Sequence, residues 1–452
     1  MKCMHTVMTT TLAMLVSGMS VAAVTPEEAA QLGDTLTAVG AEKAGNADGS
    51  IPAYSGGLTT PPADFTPGES MRPNPYASEE PVLVIDAGNL EQYKGQLTAT
   101  TAALLQRYPS YRLDVYQTHR SAALPQAVLD NTLKNATQAQ STEGGMAVEN
   151  ALPGYPFPIP QSGAEAMWNF LLRYQGDNMA SKYDSWNVDS AGTPILSVTG
   201  QSYINYPVYE KMDKVIDAKD IYFQMKLQYS APARRAGEAI MLRDAANPLV
   251  QPRRAWQYLP GQRRVKLAPS LDYDTPNPGT GGAGTYDDVY VFNGAINRYE
   301  WSLVGKQEMY VPYNAYDVTY QTDVKQLLTP NHLSPDFVRW EKHRVWVVEA
   351  NLKEGARHVY HKRRFYLDED SWVILASDQY DARGQLYRGS YAFLTQSYDK
   401  QVPDATPFMI YDLTVGSYNI NALVGPYGGV RYSKPLPSVQ WAPDSLAGAG
   451  IR

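Results

Sequence analysis

The sequence predicts an α+β fold built on one large, curved antiparallel sheet, with helices packed across its concave side and long irregular segments at both ends. Strand-like alternation recurs from about residue 185 onwards, whereas helical periodicity is concentrated before residue 175. Tyrosine, which favours strands, occurs 33 times against 9 phenylalanines. The 32 prolines and 34 glycines indicate long connections between the elements.

Four helices are predicted ahead of the strands. The first has Thr25 as its N-cap, Pro26 as its first residue and Glu28 as its capping-box partner, and it stops at Gly33. Apolar residues at helical spacing predict three more helices, over residues 89–107, 125–139 and 164–174. The proline-rich segments between them should run as extended loops.

Strands dominate the second half of the chain. The predicted strands are residues 256–259, 263–267, 288–292, 299–304, 308–313, 340–351, 359–367, 372–380 and 385–394. The last three form a meander whose first turn is the acidic run Asp368 to Ser371. A sheet of about ten strands must curl or close. We therefore expect a concave face, which is where a ligand would bind.

The N-terminus has the three parts of a secretory signal peptide, and residues 1–23 are assigned to it. Lys2 supplies the positive charge, residues 7–16 are largely apolar, and Ser20 to Ala23 offer a small-residue cleavage site. Cys3 is the single cysteine and would be removed with the signal. Disulfides, thiolate catalysis and cysteine-ligated zinc are thereby excluded from the mature chain.

The mature chain is expected to form one structural domain over residues 24–452. Residues 24–184 form its helix- and loop-rich part, and residues 185–399 form the antiparallel sheet. Residues 400–452, rich in proline and glycine, form an irregular tail packed on that sheet. No segment after the signal is long and apolar enough to span a membrane.

Charge and motifs narrow the possible functions. The 46 acidic residues exceed the 39 basic ones, which argues against a nucleic-acid-binding protein. The sequence contains no nucleophile elbow, no phosphate-binding Walker motif and no zinc-protease helix. Residues 279–284 are glycine-rich but lack the strand and helix of a phosphate cradle, so a flexible hairpin loop is favoured. We therefore expect no cofactor and no catalytic residue.

Histidines and carboxylates do not predict a metal site. His358 and His361 would lie on opposite faces of a strand, and the basic residues around them would repel a cation. The acidic run from Asp368 to Asp370 is typical of an ordinary turn.

Four arginine pairs begin at residues 234, 253, 263 and 363. In a strand, each pair directs one guanidinium group to each face of the sheet. The inward arginine could meet an anionic head group, or both could lie on solvated faces.

Large aromatic residues on the predicted strands give the main hint of a binding site. The candidate cavity-lining residues are Trp256, Tyr258, Trp301, Trp340, Trp346, Trp372, Tyr387 and Tyr391. Such rings either pack the sheet against the helices or line an apolar cavity with a few polar tips. The sequence leaves both alternatives open.

Five segments resemble a family of exported Gram-negative proteins, the domain-of-unknown-function family 1329. They are GAEKAGN (residues 40–46), DGSIPAY (48–54), SGGL (55–58), YLPGQRRV (258–265) and DQYDARGQL (378–386). The family is described as similar to the LolA/LolB carriers of outer-membrane lipoproteins. The resemblance implies an unclosed β-barrel with a helical lid and an apolar cavity. It also implies association with a resistance-nodulation-division exporter or an outer-membrane-associated protein, and it supplies no catalytic residues.

The leading hypothesis is a periplasmic, non-enzymatic binding protein or carrier for a lipid or another hydrophobic molecule, possessing neither metal nor cofactor. Two alternatives stay open. One is an envelope hydrolase that uses carboxylates or histidines, which requires a cleft holding two titratable groups within hydrogen-bond reach. The other is an envelope scaffold that binds a partner through its long terminal segments.

Overall fold

A computed structural model describes residues 24–268, 271 and 273–448. The predicted signal peptide lies outside the described residues. The helices are α1 Pro26–Ala29, α2 Leu90–Tyr93, α3 Ala99–Arg107, α4 Gln126–Gln138, α5 Gly163–Leu171, α6 Tyr316–Thr319, α7 Val324–Leu327 and α8 Ser445–Gly448. None of them has both the length and the apolar character that crossing a membrane requires.

Strands make up most of the described chain. They are β1 Leu83–Ile85, β2 Leu113–Val115, β3 Gln140–Thr142, β4 Ala147–Glu149, β5 Asn178–Val188, β6 Pro194–Asn205, β7 Ile221–Ala231, β8 Ala239–Ala245, β9 Arg254–Leu259, β10 Arg264–Leu267, β11 Tyr299–Pro312, β12 Arg339–Leu352, β13 Lys362–Asp368, β14 Ile374–Tyr380, β15 Leu386–Ala392, β16 Thr395–Ser397, β17 Val402–Asp404, β18 Phe408–Asp412, β19 Ser417–Leu423 and β20 Arg431–Tyr432.

Sixteen strands form one sheet, which confirms the predicted α+β fold with a large, mainly antiparallel sheet. Two meanders, β5 to β10 and β11 to β15, are joined through β18 and β19 in the order β15-β18-β19-β5. The short strand β2 pairs in parallel with the start of β12, and β20 extends the edge of β5 beside β19. Among the described residues, the outer strands β10 and β11 do not pair with each other, so the sheet is not closed.

The sheet curves around helix α5. All nine residues of α5 are buried. The helix packs against β11 and β12, and the Trp168 ring also contacts the Tyr222 ring of β7, with centroids 6.4 Å apart. These strands lie far apart in the order of the sheet, and one short helix can touch both sets only if the sheet bends round it. A helix therefore fills the concave side, as predicted.

Three predicted elements end differently in the structure. The helix expected over residues 89–107 is broken into α2 and α3, because Thr98 accepts a hydrogen bond from the Thr101 amide and caps a new helix. The two strands expected over residues 299–313 form the single strand β11, with an irregularity at Gly305. The strand expected over residues 288–292 is wrong, since this segment forms a short 3-10 turn followed by loop.

Two further expectations concerned irregular segments. Strands β18 and β19 lie in the middle of the sheet, so the expectation of an irregular tail is wrong for these residues. The glycine-rich segment 279–284 is closed by an antiparallel bridge between Pro276 and Thr285, as expected of a hairpin loop, but it packs against the sheet. Gly279 and Thr280 are buried, and a Cβ atom on Gly284 would lie 2.3 Å from Ile410 of β18. Its glycines allow the loop to lie directly on the sheet.

Helix α3 lies against β15 at a position that requires glycine. The Asp378 carboxylate of β14 accepts hydrogen bonds from the amides of Ala99 and Thr100, which fixes the N-terminus of α3. A Cβ atom on Gly389 would lie 2.0 Å from Thr100 Oγ1. The close approach of this helix therefore depends on the missing side chain.

We expect Gly389→Ala to lower the free energy of unfolding by about 1–3 kcal/mol, because the added methyl group overpacks this contact. The measurement is urea denaturation followed by circular dichroism. Gly261→Ala is the matched control, since no heavy atom lies within 4 Å of the Cβ position there. Equal stabilities of the two variants would contradict the assignment.

Candidate functional site

A groove opens between the β3–β4 hairpin, the first turn of α5 and the start of β11. Its volume is about 770 Å³, within the roughly 300–1,000 Å³ of typical small-molecule sites. The lining consists of residues 141–146, 162, 164–165, 296, 299–301 and 353. We call this the hairpin groove.

The hairpin wall is held on α5 by a close contact between small residues. A Cβ atom on Gly145 would lie 2.8 Å from Ala164 Cβ, and Gly145 has a φ of 90° that favours glycine. The indole Nε1 of Trp168 donates a hydrogen bond to the Gly145 carbonyl at 2.9 Å. The width of the hairpin groove therefore depends on glycine at position 145.

The opposite wall carries fixed aromatic rings. Trp301 Nε1 donates to the Ile296 carbonyl at 2.7 Å, and its ring stacks on Phe365 with centroids 5.8 Å apart. The Tyr299 hydroxyl donates to the Tyr360 carbonyl at 2.9 Å. Tyr299 is 2% exposed and supports the wall from within, so the half-buried Trp301 offers the apolar ring surface to a ligand.

The floor is mainly apolar and contains one buried carboxyl group. Met146, Ala164 and Ile296 are buried there. Glu165 Oε2 accepts a hydrogen bond from the Gln161 amide at 2.6 Å, but burial outweighs this contact and raises the pKa of Glu165. The floor thus suits the hydrocarbon part of an amphiphile.

The rim of the hairpin groove carries charges of both signs. Glu143 and Glu300 are exposed, and Lys353 is half-buried. Lys353 has no salt-bridge partner among residues 24–268, 271 and 273–448, so its ammonium group can pair with a ligand anion.

The structure places the eight predicted aromatic residues in five different regions. Trp301 is the one that lines the hairpin groove. The other seven lie elsewhere. Trp340 contacts Tyr391, Trp346 stacks on Trp372, and Tyr387 contacts Tyr360. Trp256 and Tyr258 pack beside the C-terminal Trp441. The seven are not brought together, and their contact with a ligand stays a prediction.

Sequence reasoning missed most of the hairpin groove. The hairpin residues and Glu165 belong to segments that face each other only after folding. The Gly144-Gly145 pair was the available signal, since adjacent glycines mark a tight turn. Nothing in the sequence indicates that this turn lies on α5.

The acidic residues form a turn between β13 and β14, as their residue types predict, and this turn is buried. Asp368, Glu369 and Asp370 are at most 4% exposed. Arg120 donates from Nε and Nη2 to the two oxygens of Asp370, at 2.9 and 2.7 Å. Burial and the neighbouring Asp370 raise the pKa of Asp368 to about 7.

The N-terminal segment that carries the family resemblance covers this acidic turn. The Glu42 amide donates to Glu369 Oε2 at 3.2 Å, and Trp372 Nε1 donates to the Val39 carbonyl at 2.9 Å. None of these turn residues lines the hairpin groove. The buried carboxylates of this turn therefore lie apart from the hairpin groove.

Arg363 is the inward-facing member of one of the four arginine pairs. Arg363 is fully buried and donates to Asp287 at 3.1 Å and to Asp288 at 3.0 Å. Burial alone would raise the pKa of Asp287, but Arg363 and His358 lower it below its usual range. The inward arginine thus pairs with carboxylates of this chain.

We expect Arg363→Met to lower the free energy of unfolding by about 3–5 kcal/mol, because it leaves two buried carboxylates without their cation. The adjacent Arg364 is half-exposed and pairs with Glu349 at 3.5 Å. Arg364→Met should cost less than about 1 kcal/mol. Chemical denaturation measures the free energy of unfolding of both variants. Similar losses would contradict the assignment of Arg363 and Arg364 to opposite faces of the sheet.

Glu165→Gln should change how stability depends on pH. Because the folded state raises the pKa of Glu165, ionisation of this group opposes folding. Its favourable contribution is complete below the unfolded pKa and is lost as the pH rises through the folded pKa. We expect the stability of the variant relative to the natural protein to increase as the pH rises above about 4, measured by urea denaturation. A pH-independent difference would contradict this.

Comparison of the sequence with known proteins identifies a family. The sequence model described as "Protein of unknown function (DUF1329)" matches residues 84–447. The uncharacterized protein PA3922 of Pseudomonas aeruginosa is 43% identical over 399 residues, which cover 88% of this chain and 87% of that protein.

Solved structures give weaker similarities. A DUF1329 family protein from Desulfovibrio piger is 14% identical with a TM-score of 0.42, over 60% of this chain and 92% of that chain. A putative outer membrane lipoprotein-sorting protein domain from Vibrio parahaemolyticus is 15% identical with a TM-score of 0.41, over 60% and 91%. The LolA superfamily protein NE2245 from Nitrosomonas europaea is 12% identical with a TM-score of 0.36, over 63% and 100%.

Proposed function

The chain belongs to the DUF1329 protein family, and we propose that this member is a periplasmic, non-enzymatic carrier that binds a lipid or another hydrophobic molecule. The hairpin groove is the observation that carries the proposal. It combines a buried apolar floor, a wall formed by Tyr299 and Trp301, and a charged rim in a volume of about 770 Å³. This composition suits a molecule with one apolar and one charged end.

Burial of hydrocarbon supplies the affinity in this proposal. Each methylene group removed from water contributes about 0.8 kcal/mol. The rings of Tyr299 and Trp301 are held by hydrogen bonds to backbone oxygens. Since these rings are already ordered, binding has a smaller entropic cost.

The charged rim orients the ligand. Lys353 lies on the lining and lacks a salt-bridge partner among the residues that the structure describes. A carboxylate or phosphate head group would therefore bind beside Lys353, with the chain directed toward Ile296 and Met146. We propose an anionic amphiphile as the preferred ligand class.

A carrier fits the lining better than an enzyme does. The lining contains serine, threonine and glutamate but no histidine, so it offers no serine–histidine pair for nucleophilic catalysis. The Glu165 carboxylate accepts a hydrogen bond from the Gln161 amide, and the Glu165 amide donates to Ser162 Oγ. These contacts position the helix instead of activating a nucleophile.

Exchange with the envelope completes the proposal. The signal peptide predicted from the sequence would deliver the chain to the periplasm, and the family resemblance implies a resistance-nodulation-division exporter or an outer-membrane-associated protein as the partner. The hairpin groove lies beside the outer strand β11, so a ligand can enter at the edge of the sheet. Cross-linking from residues of the hairpin in intact cells would identify such a partner.

We expect the purified protein to bind the fluorescent fatty acid cis-parinaric acid saturably, with a stoichiometry of about one per chain. Trp301→Ala should raise the dissociation constant about tenfold or more, because losing a large apolar contact costs at least about 1.5 kcal/mol. Trp256→Ala is the matched control, since Trp256 is also half-buried but lies beside the C-terminal segment. Fluorescence titration measures all three proteins.

Lys353→Glu provides a second variant that leaves the apolar core intact. It should weaken binding of the parinarate anion but leave binding of its uncharged methyl ester unchanged. Absence of saturable binding, together with absence of any lipid in native mass spectra of protein purified from cells, would overturn the proposal. Equal weakening by Trp301→Ala and Trp256→Ala would locate the site elsewhere.

A further inference from the structure

A cluster of three potential metal ligands lies inside the fold, away from the hairpin groove. One donor atom from each of His343, Asp368 and Asp370 lies within 4.8 Å of the others. All three residues are at most 4% exposed. From this geometry we propose that the three side chains bind one divalent first-row transition-metal cation, such as Zn²⁺.

The donors come together through strand pairing. His343 lies in β12, two residues before Val345, which is opposite Asp368 of β13. Residues two apart in a strand share a face, and the turn after β13 adds Asp370. Asp368 follows His343 by 25 residues, a spacing that resembles no metal-binding motif. Sequence reasoning therefore did not identify the cluster.

Asp368 has an oxygen left for a cation. Its Oδ2 accepts hydrogen bonds from Ser371 Oγ at 2.6 Å and from the Tyr313 hydroxyl at 3.1 Å. Its Oδ1 is buried and has no hydrogen-bond partner among the described residues. A buried carboxylate oxygen without a donor is costly, and coordination to a cation would remove that cost.

The carboxylate that contacts His343 resembles the outer-shell carboxylates of known metal sites. His343 Nε2 lies 2.9 Å from Glu341 Oε2, and Glu341 is itself held by Arg339 and Asn314. Metal-bound histidines usually donate their other ring N–H to a carboxylate. With the proton on Nε2, the lone pair of Nδ1 is available to the cation.

Arg120 does not prevent Asp370 from binding a cation. A carboxylate offers about four lone-pair positions. Arg120 uses two of them, through its bonds to Oδ1 and Oδ2. The remaining positions can contact a cation, and the arginine then fixes the carboxylate as a ligand.

Asp368 is the carboxylate of the cluster without a basic partner. Glu369 and Asp370 both pair with Arg120, and Glu369 also pairs with Lys306 and Arg344. Among the described residues, no salt bridge reaches Asp368. A bound cation would supply its missing positive charge, whereas the competing occupant is a proton on Asp368.

The cation would connect β12 to the turn between β13 and β14, directly beneath the N-terminal segment. It would therefore stabilise the folded chain independently of any ligand in the hairpin groove. Failure of fatty-acid binding and failure of metal binding are consequently separate results.

The test is to unfold the full-length protein in urea with a chelator, remove the chelator, and refold it with and without Zn²⁺. We expect about one bound zinc per chain by elemental mass spectrometry, and a higher melting temperature of the zinc-refolded protein. Co²⁺ should give visible d–d bands of low-symmetry coordination without thiolate charge transfer.

Asp368→Asn and His343→Gln should weaken zinc binding at least about tenfold. Their matched controls are Asp404→Asn, another buried carboxylate, and His358→Gln, another buried histidine. Both controls should bind zinc like the natural protein. If the ligand variants do not fold, the zinc content and Co²⁺ spectrum of the natural protein decide the question. Less than about 0.1 zinc per chain after refolding with Zn²⁺, or unchanged binding by Asp368→Asn, would overturn the proposal.

Discussion

The fold depends on the burial of helix α5 inside the curved sheet. All nine residues of α5 are shielded from water, although the helix includes the polar residues Glu165 and Asn169. Asn169 resolves this by donating to the Phe157 carbonyl and accepting from the Phe157 amide. The proline-rich segment before α5 thus supplies the polar partners that a buried helix requires, and α5 in turn sets the radius of the sheet.

Two buried arginines each pair with two carboxylates of this chain. Arg363 faces Asp287 and Asp288 on one side of the core, and Arg120 faces Glu369 and Asp370 on the other. Such pairs add little net stability compared with apolar packing, but each partner makes the other indispensable. They fix which loop lies on which strand, since a shifted register would bury an unpaired charge.

Local patterns predicted the elements whose stability is local. Helix α4 matches the expected segment within one residue at each end, and the capping box of Thr25 and Glu28 is present at α1. Errors arose where contacts with residues far along the chain determine the secondary structure. The break before α3 depends partly on Asp378, far along the chain, and β18 lacks strong alternation because both of its faces are buried.

The candidate site was harder to predict than the fold for the same reason. Trp301 was correctly placed on a strand, but its neighbours in the hairpin groove come from three separate segments. Aromatic residues alone could not distinguish a groove wall from a packed core. Trp301 and Trp372 were both predicted to lie on strands, but Trp372 lies in the turn before β14. The distinction depends on what faces each ring, which only the tertiary structure shows.

The position of β18 and β19 has a consequence for how the chain acquires its structure. The meanders β5–β10 and β11–β15 are each continuous in sequence, but they are joined by strands that end at Leu423. The two halves therefore cannot unite until nearly the whole polypeptide is available. Such pairings over long sequence separations make folding slow. A chain truncated before residue 408 would contain two half-sheets with exposed edges, and exposed edges promote aggregation.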